Sequence, residues 1–199
     1  MVIALATLAC TTAGCANIGA PRRSESLIGL DPLVAEPDGV RTRRSTEVKH
    51  YEEACVSPQR IGFDSTLALD EAERKPLRDE IANTLRARFS DAGLRVCEAP
   101  SGPTALDVRV LVKAVERASP GINAVTALLF FVPLSRGGIT LEFEALDAHT
   151  GHRVAAMAFH GRASVGDVGS AFSALGHAAK QAGIAATRFV AVVTGQDGR

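Results

Sequence analysis

Tryptophan is absent from the chain, tyrosine occurs once, and aromatic residues make up 5% of the whole. Stacking platforms for single-stranded nucleic acid need aromatic side chains interleaved with a basic groove, and this sequence has neither. An excess of charge of either sign is also missing: 22 Lys and Arg stand against 22 Asp and Glu. Even the run Arg41, Arg43 and Arg44 is offset by Glu36, Asp38 and Glu47, so no nucleic acid partner is expected. There is no Cys-x-x-Cys, and no histidine stands at ligand spacing from a cysteine, which leaves zinc without a ligand set and predicts no metal or other cofactor. No serine occupies a Gly-x-Ser-x-Gly elbow: Ser57, Ser65 and Ser170 lack the local pattern of a nucleophile, and an enzyme is not expected. With 46% hydrophobic residues, the 199-residue chain still suits one folded domain rather than a disordered or disulfide-dense one.

The amino end carries an address. Met1 to Ala9 is apolar and uncharged, and the small residues Ala13 and Gly14 lead directly to Cys15. The stretch Thr12 to Cys15 resembles a bacterial lipobox, with Thr12 where Leu is usual. Residues 1–14 then read as a lipoprotein signal peptide, and Cys15 as the lipidated first residue of the mature protein. Cys10, preceded by Ala9, is the alternative acceptor but would leave too short an apolar region. A multiply acylated cysteine anchors a protein stably without a spanning helix. Ala16, rather than Asp, follows Cys15, so the resemblance implies an outer-membrane destination on the periplasmic face. In that compartment Cys55 and Cys97 remain as an even pair, either disulfide-bonded or as two separate buried thiols.

Residues 15–46 are rich in Gly, Pro, Ser and charge, without a sustained period, and read as the lipidated cysteine and a flexible tether; the folded domain is placed at 47–199. Val48 to about Phe63 predicts a strand that Pro58 ends, near a sheet edge. Asp70 to Gly93 predicts a helix with Leu77, Ile81, Leu85 and Phe89 inward, its regular part beginning around Glu73 because of Pro76. Leu94 to Cys97 and Leu106 to Glu116 predict strands; Ile139 to Asp147 and Arg153 to Ala163 predict a hairpin turning at Thr150-Gly151. A last helix is expected over Val168 to Val193, with Phe172, Leu175, Ala179, Ala182, Ala186, Phe189 and Val193 on one face. The order is β-α-β-β-β-β-α. It predicts an α+β domain, with a mixed, mainly antiparallel sheet of about five strands covered by two helices.

Cys55-Val56-Ser57-Pro58, Leu106 to Val112 and Glu142 to Gly151, together with the lipobox, resemble the bacterial lipoproteins gathered as domain of unknown function 3313, over roughly residues 45 to 195. The resemblance implies an envelope location and this fold, and no activity.

Several groups invite a functional reading. Asp147, His149 and His152 surround the hairpin turn and offer a carboxylate and two imidazoles; Asp at a turn start, however, ordinarily caps backbone donors. Ser164, Gly166 and Gly169 read as a helix entry rather than a phosphate loop. Ala118 to Ser135 has no charge and is the most apolar stretch of the mature chain, its dense part of about 11 residues being shorter than a spanning helix needs. It is either a crossover in the core or a contact surface, with Leu128, Leu129, Phe130, Phe131 and Val132 at its centre. The expectation is a lipid-anchored binding or scaffolding module with the membrane and an envelope protein as partners. The alternative is a subunit of an oligomeric outer-membrane secretion or pore assembly.

Overall fold

The computed structural model describes residues 34–35, 40–45, 49–116, 138–162 and 175–196. Its elements, in chain order, are β1 (Val34–Ala35), β2 (Arg41–Arg44), β3 (Glu53–Phe63), α1 (Glu71–Asp91), β4 (Arg95–Cys97), β5 (Ala105–Glu116), β6 (Gly138–Asp147), β7 (Arg153–Arg162) and α2 (Gly176–Thr194). One sheet holds every described strand, in the order β1-β2-β7-β6-β5-β3-β4. β3 runs parallel to β4 and β5, and all other neighbours are antiparallel. The mixed α+β fold expected from the sequence is present, with seven strands in place of about five.

The two added strands lie where the composition predicts tether. β2 reads Arg-Thr-Arg-Arg, and its partners are Ala155 to Ala158 of β7. Backbone pairing holds it rather than an alternating apolar face, so no hydrophobic period marks it. Val40, just before it, is buried and fixes the entry. The folded unit therefore begins ahead of residue 47, at the expense of the expected tether.

α1 starts at Glu71 rather than near Glu73. Asp70 caps it, accepting from the Glu73 amide at 2.9 Å while the Glu73 carboxylate accepts from the Asp70 amide at 3.2 Å. This reciprocal box offsets Pro76, which sits in the second turn and forgoes a single amide donor. The spacing of four puts Leu77, Ile81, Leu85 and Phe89 at 1% exposure or less, and each such side chain contributes about 2 kcal/mol through area removed from water. At the far end Leu94 donates to the Phe89 carbonyl and Gly93 to that of Ser90, closing the helix with Gly93 at φ 86°.

Pro58 does not end β3. The register with β5 jumps from Val56 opposite Val108 to Ile61 opposite Val110, so residues 57–60 form a bulge and the strand resumes beyond it. β4 pairs only with residues 53–55, so the missing Pro58 donor deprives no neighbour. Arg86 of α1 donates to the Val56 carbonyl at 3.2 Å, where the ladder breaks.

Core residues alternate along β5 (Leu106, Val108, Val110, Val112) and β6 (Ile139, Leu141, Phe143, Ala145), facing the buried stripes of both helices. Phe143 and Phe189 stack with ring centroids 5.0 Å apart, tying β6 to α2. On α2 the expected Ala182, Ala186, Phe189 and Val193 are buried; residues 168–174, Phe172 among them, lie outside the described part. No described helix is long and apolar enough to cross a membrane.

Gly195 caps α2 at φ 74°, and a Cβ built there would stand 2.0 Å from Nη1 of Arg44. Gly93 carries a similar φ with open space around it. Gly93→Ala is therefore expected to cost about 1–2 kcal/mol, the price of a left-handed alanine. Gly195→Ala should cost about the same, because the atoms its Cβ meets belong to the end of the exposed Arg44 side chain, which can swing aside, and Arg44→Ser should change that cost little in the double variant. Urea denaturation of the four proteins checks this; a loss at Gly195 that Arg44→Ser relieves would show that Arg44 cannot give way.

Candidate functional site

The five-residue turn from β6 into β7 explains its own sequence. Asp147 Oδ1 accepts from the amides of His149 at 3.0 Å and Thr150 at 2.9 Å, and Gly151 at φ 72° donates to the Asp147 carbonyl at 2.8 Å. His149 and His152 are exposed. Asp147 is buried, with 3% of its surface exposed, so its second oxygen also needs a donor. Lys49 and the Tyr51 hydroxyl, the latter at 3.1 Å, both donate to Oδ2. Lys49 further donates to the Pro103 carbonyl at 2.9 Å and lies 5.3 Å from the Tyr51 ring centre.

Burial alone would push the Asp147 pKa up. Lys49, the two turn amides and the Tyr51 hydroxyl outweigh it and hold the carboxyl well below the ordinary carboxylate range. Both oxygens are thus committed and a cation already sits on one of them. The structure therefore does not assemble Asp147, His149 and His152 as a metal ligand set; Asp147 locks the segment before β3 to the hairpin.

Lys49 and Tyr51 form a wall between two shallow clefts. One, of about 360 Å³, is also lined by Ser45, Thr150, His152 and Arg153. The other, of about 340 Å³, has an apolar floor of Leu94, Leu106 and Val193 beneath Arg44 and His50. Their shared wall makes this end of the sheet the candidate binding site among the described residues. Sequence reasoning missed Lys49 and Tyr51, because nothing local in Lys49-His50-Tyr51 points to a carboxylate 98 positions away.

A second buried carboxylate belongs to the frame. Asp64 accepts from the Thr66 hydroxyl at 2.7 Å, the Thr66 amide at 2.9 Å and Lys113 at 3.0 Å, which bring its pKa down to about 2 against burial. It fixes the turn between β3 and α1.

At the β3–β4 edge, Cys55 and Cys97 are register partners with Cα atoms 4.4 Å apart and their sulfurs linked. Glu53, two residues before Cys55 and therefore on the same face, is buried, with 4% of its surface exposed. Arg95 pairs with it, and the Ser101 hydroxyl donates to its oxygens at 3.0 and 3.2 Å. The remaining sequence candidates are scattered. Ser57 lies in the β3 bulge and bonds Gln59; Ser65 is exposed in the following turn; His160 contacts Thr140 at 2.8 Å; His177 is buried in α2. Cys10, Cys15, Ser164, Gly166, Gly169, Ser170 and the whole stretch Leu128 to Val132 lie outside the described residues.

Two outcomes follow from this chemistry. Both carboxylates titrate below their unfolded value of 3.8, so they favour folding above that pH, and the gain is lost as pH falls through their folded values, about 2 for Asp64 and lower still for Asp147. Urea midpoints should drop as pH falls below 3.8, and the deficit of Asp147→Asn relative to the parent at pH 7 should narrow over the same range. A pH-independent gap would refute the linkage. For the cysteines, thiol labelling of denatured, unreduced protein should leave Cys55 and Cys97 unmodified until a reductant is added.

No curated protein matches the sequence. Among solved structures the chain is similar to the PelC dodecamer from Paraburkholderia phytofirmans, at 17% identity over 78% of this chain and 96% of that one, with a TM-score of 0.48. It is also similar to a DUF330 protein from Xanthomonas campestris, at 17% identity over 73% and 83%, with a TM-score of 0.35. Residues 29–189 match the model of the family described as protein of unknown function DUF3313, from ahead of β1 into α2. The chain belongs to that family.

Proposed function

We propose that the protein is a lipid-anchored lipoprotein of the outer membrane, facing the periplasm, where it acts as a binding or scaffolding module. The observation that carries this reading is the run of apolar residues from Met1 to Ala9, closed by Ala13, Gly14 and Cys15. The anchor is the acylated Cys15. Because β1 and β2 belong to the sheet, only residues 16–33 separate that cysteine from the first strand. Eighteen residues reach at most about 65 Å fully extended, so the domain works close to the leaflet.

The site chemistry supports binding rather than proton transfer. Asp147 is the ionisable group most tightly surrounded by donors, and it stays a carboxylate far below neutral pH. The partner contact is Leu128 to Val132, which lies in sequence between the end of β5 at Glu116 and the start of β6 at Gly138.

Cys15→Ala should abolish acyl labelling and release the protein from the membrane fraction; retained labelling would overturn the anchor. Photocrosslinkers at Phe130 and Phe131 in intact cells should trap a defined envelope protein, and replacing both residues with serine should lose it. A stable ring in detergent that conducts ions in bilayers would instead establish a subunit of a secretion or pore assembly.

A further inference from the structure

Outside the clefts, one group of side chains carries chemistry that the proposed function leaves unused. Glu53, Cys55 and Cys97 each offer a ligand atom, and these atoms lie within 4.8 Å of one another. We propose that reduction of the Cys55–Cys97 bond converts this group into a binding site for one thiophilic divalent cation, of which Zn2+ is the type.

The topology makes the site. Two parallel neighbours place the cysteines side by side, and the two-residue repeat of β3 brings Glu53 onto their face. Two thiolates and a carboxylate are a donor set that zinc accepts, with water completing a tetrahedron. Bonds of about 2.3 Å to zinc set its two sulfur ligands about 3.8 Å apart, which rotation of the freed side chains must supply. The surroundings are already those of a ligand carboxylate. Arg95 and Ser101 hold Glu53, and Arg95 is 74% exposed along its side chain, so it has room to keep one oxygen while the other turns to the metal.

Charge favours the exchange. In the oxidised form the disulfide is neutral, and Glu53 is balanced by Arg95. In the loaded form two thiolates balance the divalent ion, and the Glu53–Arg95 pair is unchanged. Neither state leaves a net buried charge. The chemistry also balances. A dithiol donor gives two electrons and two protons to the bond and becomes a disulfide, leaving two thiols on the protein; cation binding then releases those protons to water. A disulfide that takes the two electrons back and leaves as a dithiol re-forms the Cys55–Cys97 bond and expels the ion.

The test uses the full chain, reduced with a phosphine, exchanged into anaerobic buffer and titrated with Co2+. A thiolate-to-cobalt charge-transfer band should saturate at one ion per chain and vanish on adding Zn2+. The oxidised protein and Cys97→Ser should show no band. Glu53→Gln keeps both thiols and should weaken binding at least tenfold. Zn2+ should also protect Cys55 and Cys97 of the reduced parent from alkylation. The proposal fails if no band forms at one equivalent, if Glu53→Gln binds as the parent does, or if the reduced chain loses its strand signal even with Zn2+ present. None of these outcomes depends on Cys15 or on the partner surface.

Discussion

A carboxylate as deeply buried as that of Asp147 stays ionised only where donors replace the water it loses. Four donors do so here, from two separate stretches of chain: two amides of the turn, and Lys49 and Tyr51 ahead of β3. Lys49 also holds the Pro103 carbonyl, so the loop entering β5 is drawn into the same arrangement. The position of β3 relative to the β6–β7 hairpin follows, since the residues just ahead of β3 are fixed before the strand begins. Both clefts share that wall, and nothing described fills the space on either side of it.

How far the sequence could be read follows from which forces leave a local trace. The α1 stripe, the alternation along β5 and β6, and the Thr150-Gly151 turn each repeat within a few residues of one another, and each was legible. β2 left no trace because a short strand of Arg-Thr-Arg-Arg is held by backbone bonds that any side chain permits. Pro58 suggested a strand end, yet β3 continues, because a bulge absorbs the proline where β4 has already stopped. A local rule met a non-local circumstance.

The candidate site divides along the same line. The capping role of Asp147 is encoded within the turn and could be seen there. Its second role depends on Lys49 and Tyr51, nearly a hundred positions upstream, and has no counterpart in spacing. Glu53 lay closer to view: an acidic residue two before a cysteine in a strand shares its face. What the sequence withheld was that Cys97 would be the register partner of Cys55.

That partnership bears on why β4 exists. Three residues pair with β3 and nothing described lies beyond them, so few backbone bonds hold this short edge strand. The link between Cys55 and Cys97, with Arg95 on Glu53 and Ser101 reaching back from the loop into β5, ties this edge at three points within a few residues. β4 also terminates the path from α1, whose buried face rests on β3. A bond made there closes the loop that contains the whole helix. An edge strand held by three paired residues is therefore also the place where a covalent link closes a loop of 42 positions.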